Sequence, residues 1–176
     1  MIERVIIAGS GGQGIMLLGK ILAEAGMLED RCVTWLPSYG AEVRGGTAHC
    51  MVVISDRQIG SPYIAQADSL IIMNAPSLEK FKPRAKNSSL WVINSSLAKG
   101  DNAREGASLQ HPFTDLAVGL GNIKVANMLA LGCFLGHKSL VGLDTVSAVI
   151  KKFAPAGKED LIRINEQALR KGAGLK

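Results

Sequence analysis

A strand-to-helix turn with four glycines in six residues sets the first constraint on this chain. Val5-Ile6-Ile7-Ala8 is a short apolar run, Gly9-Ser10-Gly11-Gly12-Gln13-Gly14 follows it, and a helical pattern opens at Ile15. Glycine lets the backbone turn sharply and lets another group approach it closely. The first turn of a helix carries unpaired N–H groups and the positive end of the helix dipole, so an anion or phosphate suits this corner. Gly9, Gly11 and Gly14 also fit the spacing G-x-G-x-x-G in the strand-to-helix setting that gives that motif meaning.

A nicotinamide cofactor would normally require an Asp or Glu at the end of the next strand, to hydrogen-bond its ribose. The next apolar run, Cys32-Val33-Thr34-Trp35, ends in Leu36-Pro37, and Glu29 and Asp30 precede it. Three readings of the glycine turn stay open. It is an anion-binding turn, an NAD site, or a tight corner that only lets helix and sheet pack closely.

A second informative stretch runs from Pro37 to Thr47. It holds Ser38, Tyr39, Glu42, Arg44 and the pair Gly45-Gly46, with neither helical nor strand periodicity. It follows the second strand, on the edge where open α/β sheets bind ligands, so it should lie beside the glycine turn. Arg44 next to two glycines suits bidentate contact with a phosphate or carboxylate. The bland alternative is a surface loop in which Arg44 pairs with Glu42 to little effect.

With 47% apolar and 20% charged residues, the 176-residue chain is expected to fold as one globular domain, residues 1–176. The net charge of +5 is modest and scattered, and few aromatics accompany it, which gives nucleic-acid binding little support. Cys32, Cys50 and Cys133 form no C-x-x-C pair, so reduced, buried thiols and no metal site are expected. The first strand begins too early for a signal peptide, and the apolar stretch from Val125 to Gly136 is too short to span a bilayer. A cytoplasmic protein without membrane or nucleic-acid partners is the expectation.

Along the chain, Ile15 to Met27 reads as a helix charged only at Lys20 and Glu24, and Cys32 to Leu36 as a strand completing a parallel β-α-β unit with a right-handed crossover. Ala48 to Ser55, Ser69 to Met73 and Leu90 to Asn94 read as buried strands. His49 is read as structural rather than catalytic. Asn74 and Pro76 mark a helix start, with Leu78 and Phe81 turned inward. Ser95 and Ser96 suit a loop or cap role. A strand should lead into His111-Pro112, and Phe113 to Leu120 is a short helix. Val125 to Leu135 is apolar enough to be buried deeply or pressed against another subunit. Asp144 suits an N-cap for Thr145 to Phe153, and Lys158 to Lys171 is a last amphipathic helix.

Catalytic machinery is missing. There is no G-x-S-x-G elbow, no H-E-x-x-H pair and no Walker lysine, and no paired carboxylates are placed for acid–base work. A binding edge without chemistry points to a cofactor-binding module or to one subunit of a larger enzyme.

Four segments occur in an order that matches a known family. They are Gly9-Ser10-Gly11-Gly12-Gln13-Gly14, Ser38-Tyr39-Gly40 with Arg44-Gly45-Gly46, Ser55-Asp56 with Ser61-Pro62, and Val125-Ala126-Asn127-Met128 with Leu131-Gly132. Together they resemble the gamma subunit of the 2-oxoacid:ferredoxin (acceptor) oxidoreductases over nearly the whole chain. The resemblance implies a three-layer α/β/α fold with a mostly parallel sheet and a Rossmann-like beginning, equivalent to one domain of pyruvate:ferredoxin oxidoreductase.

It also implies an oxidoreductase subunit inactive alone, in a complex that oxidatively decarboxylates a 2-oxoacid to an acyl-CoA. Alpha and beta chains, with delta a further candidate, are the implied partners, and ferredoxin is reached through the complex. Thiamine diphosphate and iron–sulfur clusters belong to the other chains, and this chain alone holds no cofactor. Gly9, Gly11, Gly12, Gln13, Gly14, Ser38, Tyr39, Arg44, Gly45 and Gly46 become candidate contacts for coenzyme A or the active site. The loop around Arg44 looks closer to 2-oxoglutarate enzymes than to pyruvate or branched-chain ones. A free-standing nucleotide-binding oxidoreductase is the alternative. A subunit should expose a sizeable apolar patch.

Overall fold

The computed structural model describes residues 1–38, 47–99 and 107–175. Its strands are β1 (Ile2–Ser10), β2 (Cys32–Ser38), β3 (Thr47–Ser55), β4 (Ala67–Ile72), β5 (Ala85–Asn94) and β6 (Ser108–His111). The helices are α1 (Ile15–Leu28), α2 (Ala75–Phe81), α3 (Phe113–Gly119), α4 (Ala126–Lys138), α5 (Leu143–Phe153) and α6 (Glu159–Ala173). The strands form one sheet in the order β2-β3-β1-β4-β5-β6. Pairing is parallel from β1 through β4 and β5 to β6, and antiparallel where β3 meets β1 and β2.

That arrangement corrects one expectation. β2 runs in the direction of β1 but does not pair with it, because β3 lies between them. The reason is in the strands themselves. β3 pairs with β1 from Ile2↔Ser55 to Ser10↔Thr47, and Cys50 to Ser55 are all buried. No residue of β2 is buried to that degree, and it contains Pro37. Proline has no N–H for a ladder, so a strand carrying it belongs at a sheet edge.

Period-two alternation places Val5 and Ile7 on one face of the sheet and Ile6 and Ala8 on the other. The first face carries α1, α3, α4, α5 and α6. The second is covered more thinly, by Leu78 and Phe81 of α2 together with Ile64 and Ala98. The expected three layers are present, unequal in thickness.

α2 begins as its sequence implies. Asn74 is the N-cap, its Oδ1 accepting from Ser77 N at 3.1 Å, and a proline occupies the first turn. Ser96 acts as a cap too, accepting from Asp115 N at 3.3 Å and donating to Asp115 Oδ2 at 2.9 Å. Lys20 is exposed, its ammonium lying 4.7 Å over the Phe153 ring, and Glu24 pairs with Lys152.

α4 is buried from Ala126 to Leu135, and α6 covers it at close range. A Cβ on Gly132 would overlap the carbonyl oxygen of Leu169, and one on Gly172 would overlap that of Leu129. These glycines exist so that two helix backbones can touch. At its far end α4 is tied to β1 by Lys138 Nζ and Glu3 Oε2 at 3.2 Å, while Ser69 Oγ donates to Glu3 Oε1 at 2.6 Å.

Two further expectations are corrected. Asp144 is not the N-cap of α5. Gly142 holds that position, and Asp144, within the first turn, faces solvent and bonds Arg170 at 2.8 Å. Glu29 Oε1 accepts from Gly142 N at 2.7 Å, so the carboxylate serving this helix start comes from the end of α1. Cys32 is exposed at the start of the edge strand, whereas Cys50 and Cys133 are buried. Burial pushes the Cys50 thiol from an ordinary 9.0 up to about 12, and that of Cys133 up to about 11.

Gly132→Ala should destabilise the chain by about 3 kcal/mol in chemical denaturation, because backbone blocks the new methyl. Gly119→Ala, where a Cβ meets nothing within 4 Å, should be neutral or stabilising by at most ~1 kcal/mol. At pH 8 only Cys32 should react rapidly with a thiol reagent on the native chain. Both buried thiols stay protonated in the fold while the unfolded chain ionises. Their contribution is therefore complete below pH 9 and is lost as pH rises from 9.0 towards about 12. Denaturation curves of Cys50→Ala should show a shallower alkaline fall.

Candidate functional site

The glycine turn closes on itself through Gln13. Ser10 N donates to Gln13 Oε1 at 2.6 Å, Gln13 N to Ser10 O at 3.3 Å, and Gln13 Nε2 to Met73 O at 3.2 Å. Gly12 and Gly14 have φ of 88° and 71°, the left-handed region where glycine is at home. Gly14 is the N-cap of α1, and its carbonyl accepts from Leu18 N at 2.9 Å.

The four glycines do different work. A Cβ on Gly9 would stand 2.7 Å from Ile15 Cδ1 and 2.9 Å from Met73 Cβ, and one on Gly14 would collide with the amide of Asn127. These two are packing glycines. Gly11 and Gly12 are exposed, and nothing stands within 4 Å of a Cβ at Gly12. The tight-corner account therefore describes Gly9 and Gly14, and open backbone remains at Gly11 and Gly12.

Carboxamide side chains hold this corner to the rest of the sheet edge. Asn127, 3% exposed, donates from Nδ2 to Gly14 O at 3.2 Å, and its Oδ1 accepts from Met128 N at 2.8 Å. Asn74 Nδ2 donates to Ser10 Oγ at 2.7 Å. The buried Asn94 donates to Met73 O at 3.2 Å and to Thr114 Oγ1 at 2.8 Å, and accepts from Thr114 N at 3.2 Å. Met73 O thus receives two amides, one from the turn and one from β5. Buried polar groups satisfied in this way specify one geometry.

Beside the turn lies a cleft of about 250 Å³ lined by Gly12, Gln13, Met73, Leu97, Thr114, Ile123, Lys124 and Ala126. It sits at the carboxyl ends of β1, β4 and β5, where α/β sheets bind ligands. Among the described residues, Lys124 is its one charged lining residue. The lysine stands on a short turn, Ile123–Val125, that Asn122 caps by accepting from Lys124 N at 3.0 Å. The first turn of α1 carries no acidic residue. A cation, exposed glycine backbone and a helix N-terminus facing one cleft suit an anionic group.

Sequence inspection did not single out Lys124 or Asn94. Lys124 stands immediately before Val125-Ala126-Asn127-Met128, so its position in the chain was a usable signal. Asn94 ends a buried strand, and an amide there needs partners. Ser38 closes β2 at the same edge, in register with His49, which is itself in register with Ala8 of β1. The His49 ring lies 4.8 Å from that of Phe81. Tyr39, Arg44, Gly45 and Gly46 lie outside the described residues.

Among the described residues, exposed large apolar side chains border each of three clefts: Leu17 and Leu161 a groove between α1, α5 and α6, Leu97 and Ile123 the cleft by the turn, and Ile2 and Tyr63 a third. Among the described residues no helix is long and apolar enough to cross a membrane, and no group of three or more His, Cys, Asp or Glu is placed to hold a metal ion.

Residues 4–175 match the family model for pyruvate ferredoxin/flavodoxin oxidoreductase, and the chain belongs to that family. It is 38% identical to ketoisovalerate oxidoreductase subunit VorA of Methanothermobacter thermautotrophicus, over 97% of this chain and 35% of that protein. It is 34% identical to 2-oxoglutarate synthase subunit KorC of Archaeoglobus fulgidus, over 88% of this chain and 80% of that one. The chain thus spans about a third of the VorA relatives and most of the KorC ones.

Among solved structures, the gamma subunit of the keto/oxoacid ferredoxin oxidoreductase from Geobacter sulfurreducens shares the fold. Its TM-score is 0.84 and its identity 24%, over 97% of this chain and 96% of that one. The 2-oxoglutarate:ferredoxin oxidoreductase from Magnetococcus marinus, solved with 2-oxoglutarate, coenzyme A and succinyl-CoA bound, has a TM-score of 0.87 and 25% identity. This chain is covered over 99% of its length and that one over 31%.

Asn127→Leu removes the acceptor of the Met128 N–H and leaves the Gly14 carbonyl only its bond from Leu18 N, and should cost about 2 kcal/mol. Hydrogen exchange should show faster exchange from Gly11 through Leu18 in that variant. Unchanged exchange there would mean that Asn127 does not hold the turn.

Proposed function

We propose that this chain, acting as one gamma-type domain over residues 1–176, is the gamma subunit of a multi-subunit 2-oxoacid:ferredoxin oxidoreductase. The observation that carries this reading is the family match across residues 4–175, joined to a KorC relative of which the chain covers 80%. The partners are alpha and beta subunits, with delta a further candidate, and ferredoxin takes the electrons. Thiamine diphosphate and the iron–sulfur clusters sit on those other chains.

The contribution of this chain is to cover the active site and to hold an anionic part of coenzyme A. The donor set suits that task. Gly11, Gly12 and the N-terminus of α1 offer N–H groups, and Lys124 offers a cation. Gly9, Gln13 and Gly14 shape the turn that presents them. Ser38, Tyr39, Arg44, Gly45 and Gly46 are the remaining proposed contacts, with Arg44 placed by its chemistry to meet a phosphate or a carboxylate. Coenzyme A, when bound in the assembled enzyme, supplies the thiol that receives the acyl group.

We propose 2-oxoglutarate as the substrate, because the segment from Ser38 to Gly46 resembles that of 2-oxoglutarate enzymes and Arg44 suits a second carboxylate. A branched-chain 2-oxoacid is favoured by a different observation, the higher identity to VorA.

The deciding experiment is gentle anaerobic purification of the tagged chain from its native host, followed by assay with 2-oxoglutarate, ketoisovalerate and pyruvate. Alpha and beta chains should co-purify, and CoA-dependent turnover should be highest with 2-oxoglutarate. Preference for ketoisovalerate keeps the subunit role and overturns the substrate. A lone protein that binds NAD overturns both. In the complex, Lys124→Gln should raise KM for coenzyme A about tenfold and leave KM for the oxoacid unchanged.

A further inference from the structure

The opposite edge of the sheet holds a second cleft, of about 500 Å³, between the amino ends of β1 and β5 and the segment 56–66. It lies on the thinly covered face. Arg4, Lys86, Ser61, Tyr63 and Gln66 line it, and among the described residues none of its lining is acidic.

The charges around it are unbalanced. Asp68 accepts from Arg4 N at 2.9 Å and from Arg4 Nη1 at 3.3 Å, and its other oxygen bonds Lys86 Nζ. One carboxylate therefore serves two cations. Both keep open surface, with the side chains of Arg4 and Lys86 36% and 35% exposed. A guanidinium has five donors and an ammonium three, so most of theirs remain to be used.

A third cation stands nearby. Arg84 donates to the carbonyl of Ile64, and its guanidinium lies 4.8 Å from the centre of the Tyr63 ring and 6.0 Å from that of Phe81. The carbonyl and the two rings fix this side chain in place. Tyr63 is 60% exposed, so its ring remains open beyond the guanidinium. Ser61 Oγ accepts from Tyr63 N at 3.1 Å, which steadies the turn that presents the ring.

We propose that this cleft binds a phosphate-bearing ligand with a planar ring, of the nucleotide class. Phosphate oxygens take the free donors of Arg4 and Lys86, and the ring lies against the exposed part of Tyr63. A space of about 500 Å³ exceeds what a lone ion needs, and cations beside an open aromatic ring are the two halves of nucleotide recognition. The proposal does not depend on the subunit reading, since it uses neither the glycine turn nor a partner chain.

The test is calorimetric titration of the full chain with ADP and, separately, with inorganic pyrophosphate. Both should bind, more weakly at high salt. Lys86→Gln should weaken both about tenfold and Lys86→Arg should preserve them, while Tyr63→Ala should weaken ADP about tenfold and leave pyrophosphate unchanged. Lys86 and Tyr63 both reach solvent, so these variants should fold, and thermal melting confirms it. Absence of heat with both probes at millimolar concentration overturns the proposal. So does binding that Lys124→Gln abolishes and Lys86→Gln does not, because it would place the ligand at the glycine turn. Equal affinity for the two probes, insensitive to Tyr63→Ala, overturns it as well.

Discussion

The pairing of β3 along the whole of β1 is the constraint from which the rest of the arrangement follows. It gives β1 a partner on both sides, β3 antiparallel and β4 parallel, and sends β2 to the edge. The carboxyl end of β1 therefore becomes a junction. On one side the chain direction reverses, and on the other the ends of β4 and β5 point the same way as the glycine turn. A cleft opens at such a junction because neighbouring strand ends depart to different layers. Glu3, one residue into the same strand, anchors the far end of α4 through Lys138. Glu3 is buried and Lys138 partly exposed, so this pair helps to position the far end of that helix.

α4 is the second organising element. Asn127 near its start bonds Gly14, and Gly132 in its middle lets α6 approach to backbone contact. One helix thus couples the glycine turn to the outer helical layer. The carboxamides at Gln13, Asn74, Asn94 and Asn127 complete the corner by hydrogen bonds whose donors and acceptors are all neutral. Among the described residues, a corner fixed by neutral groups leaves the field there to α1 and Lys124. This suits a site whose task is to receive negative charge from another molecule.

Much of this was legible in the residues. Alternating apolar positions located β1, β3, β4 and β5, and Asn74 with Pro76 located the start of α2, because local chemistry decides such features. The glycine turn was legible as a turn, since four glycines in six residues leave few other conformations. What stood outside local reach was pairing. Pro37 marks Cys32 to Ser38 as an edge strand, but which strand it will neighbour depends on which buries more surface when all are present. The cap of α5 failed for the same reason. Asp144 has the right chemistry at nearly the right place, yet Glu29, far away in sequence, reaches the N–H that matters.

By itself the sequence determined the kind of elements, the turn that opens α1 and the membership of a family. These rest on local geometry or on residue identity. Tertiary structure alone decided that Gly9 and Gly14 are filled by protein while Gly11 and Gly12 stay open. It also decided that Lys124 is a charge beside them, and that Arg4 and Lys86 share one carboxylate at the opposite edge. Those facts depend on atoms brought together from distant parts of the chain, where space and unmatched charge are properties of the packed whole and not of any segment.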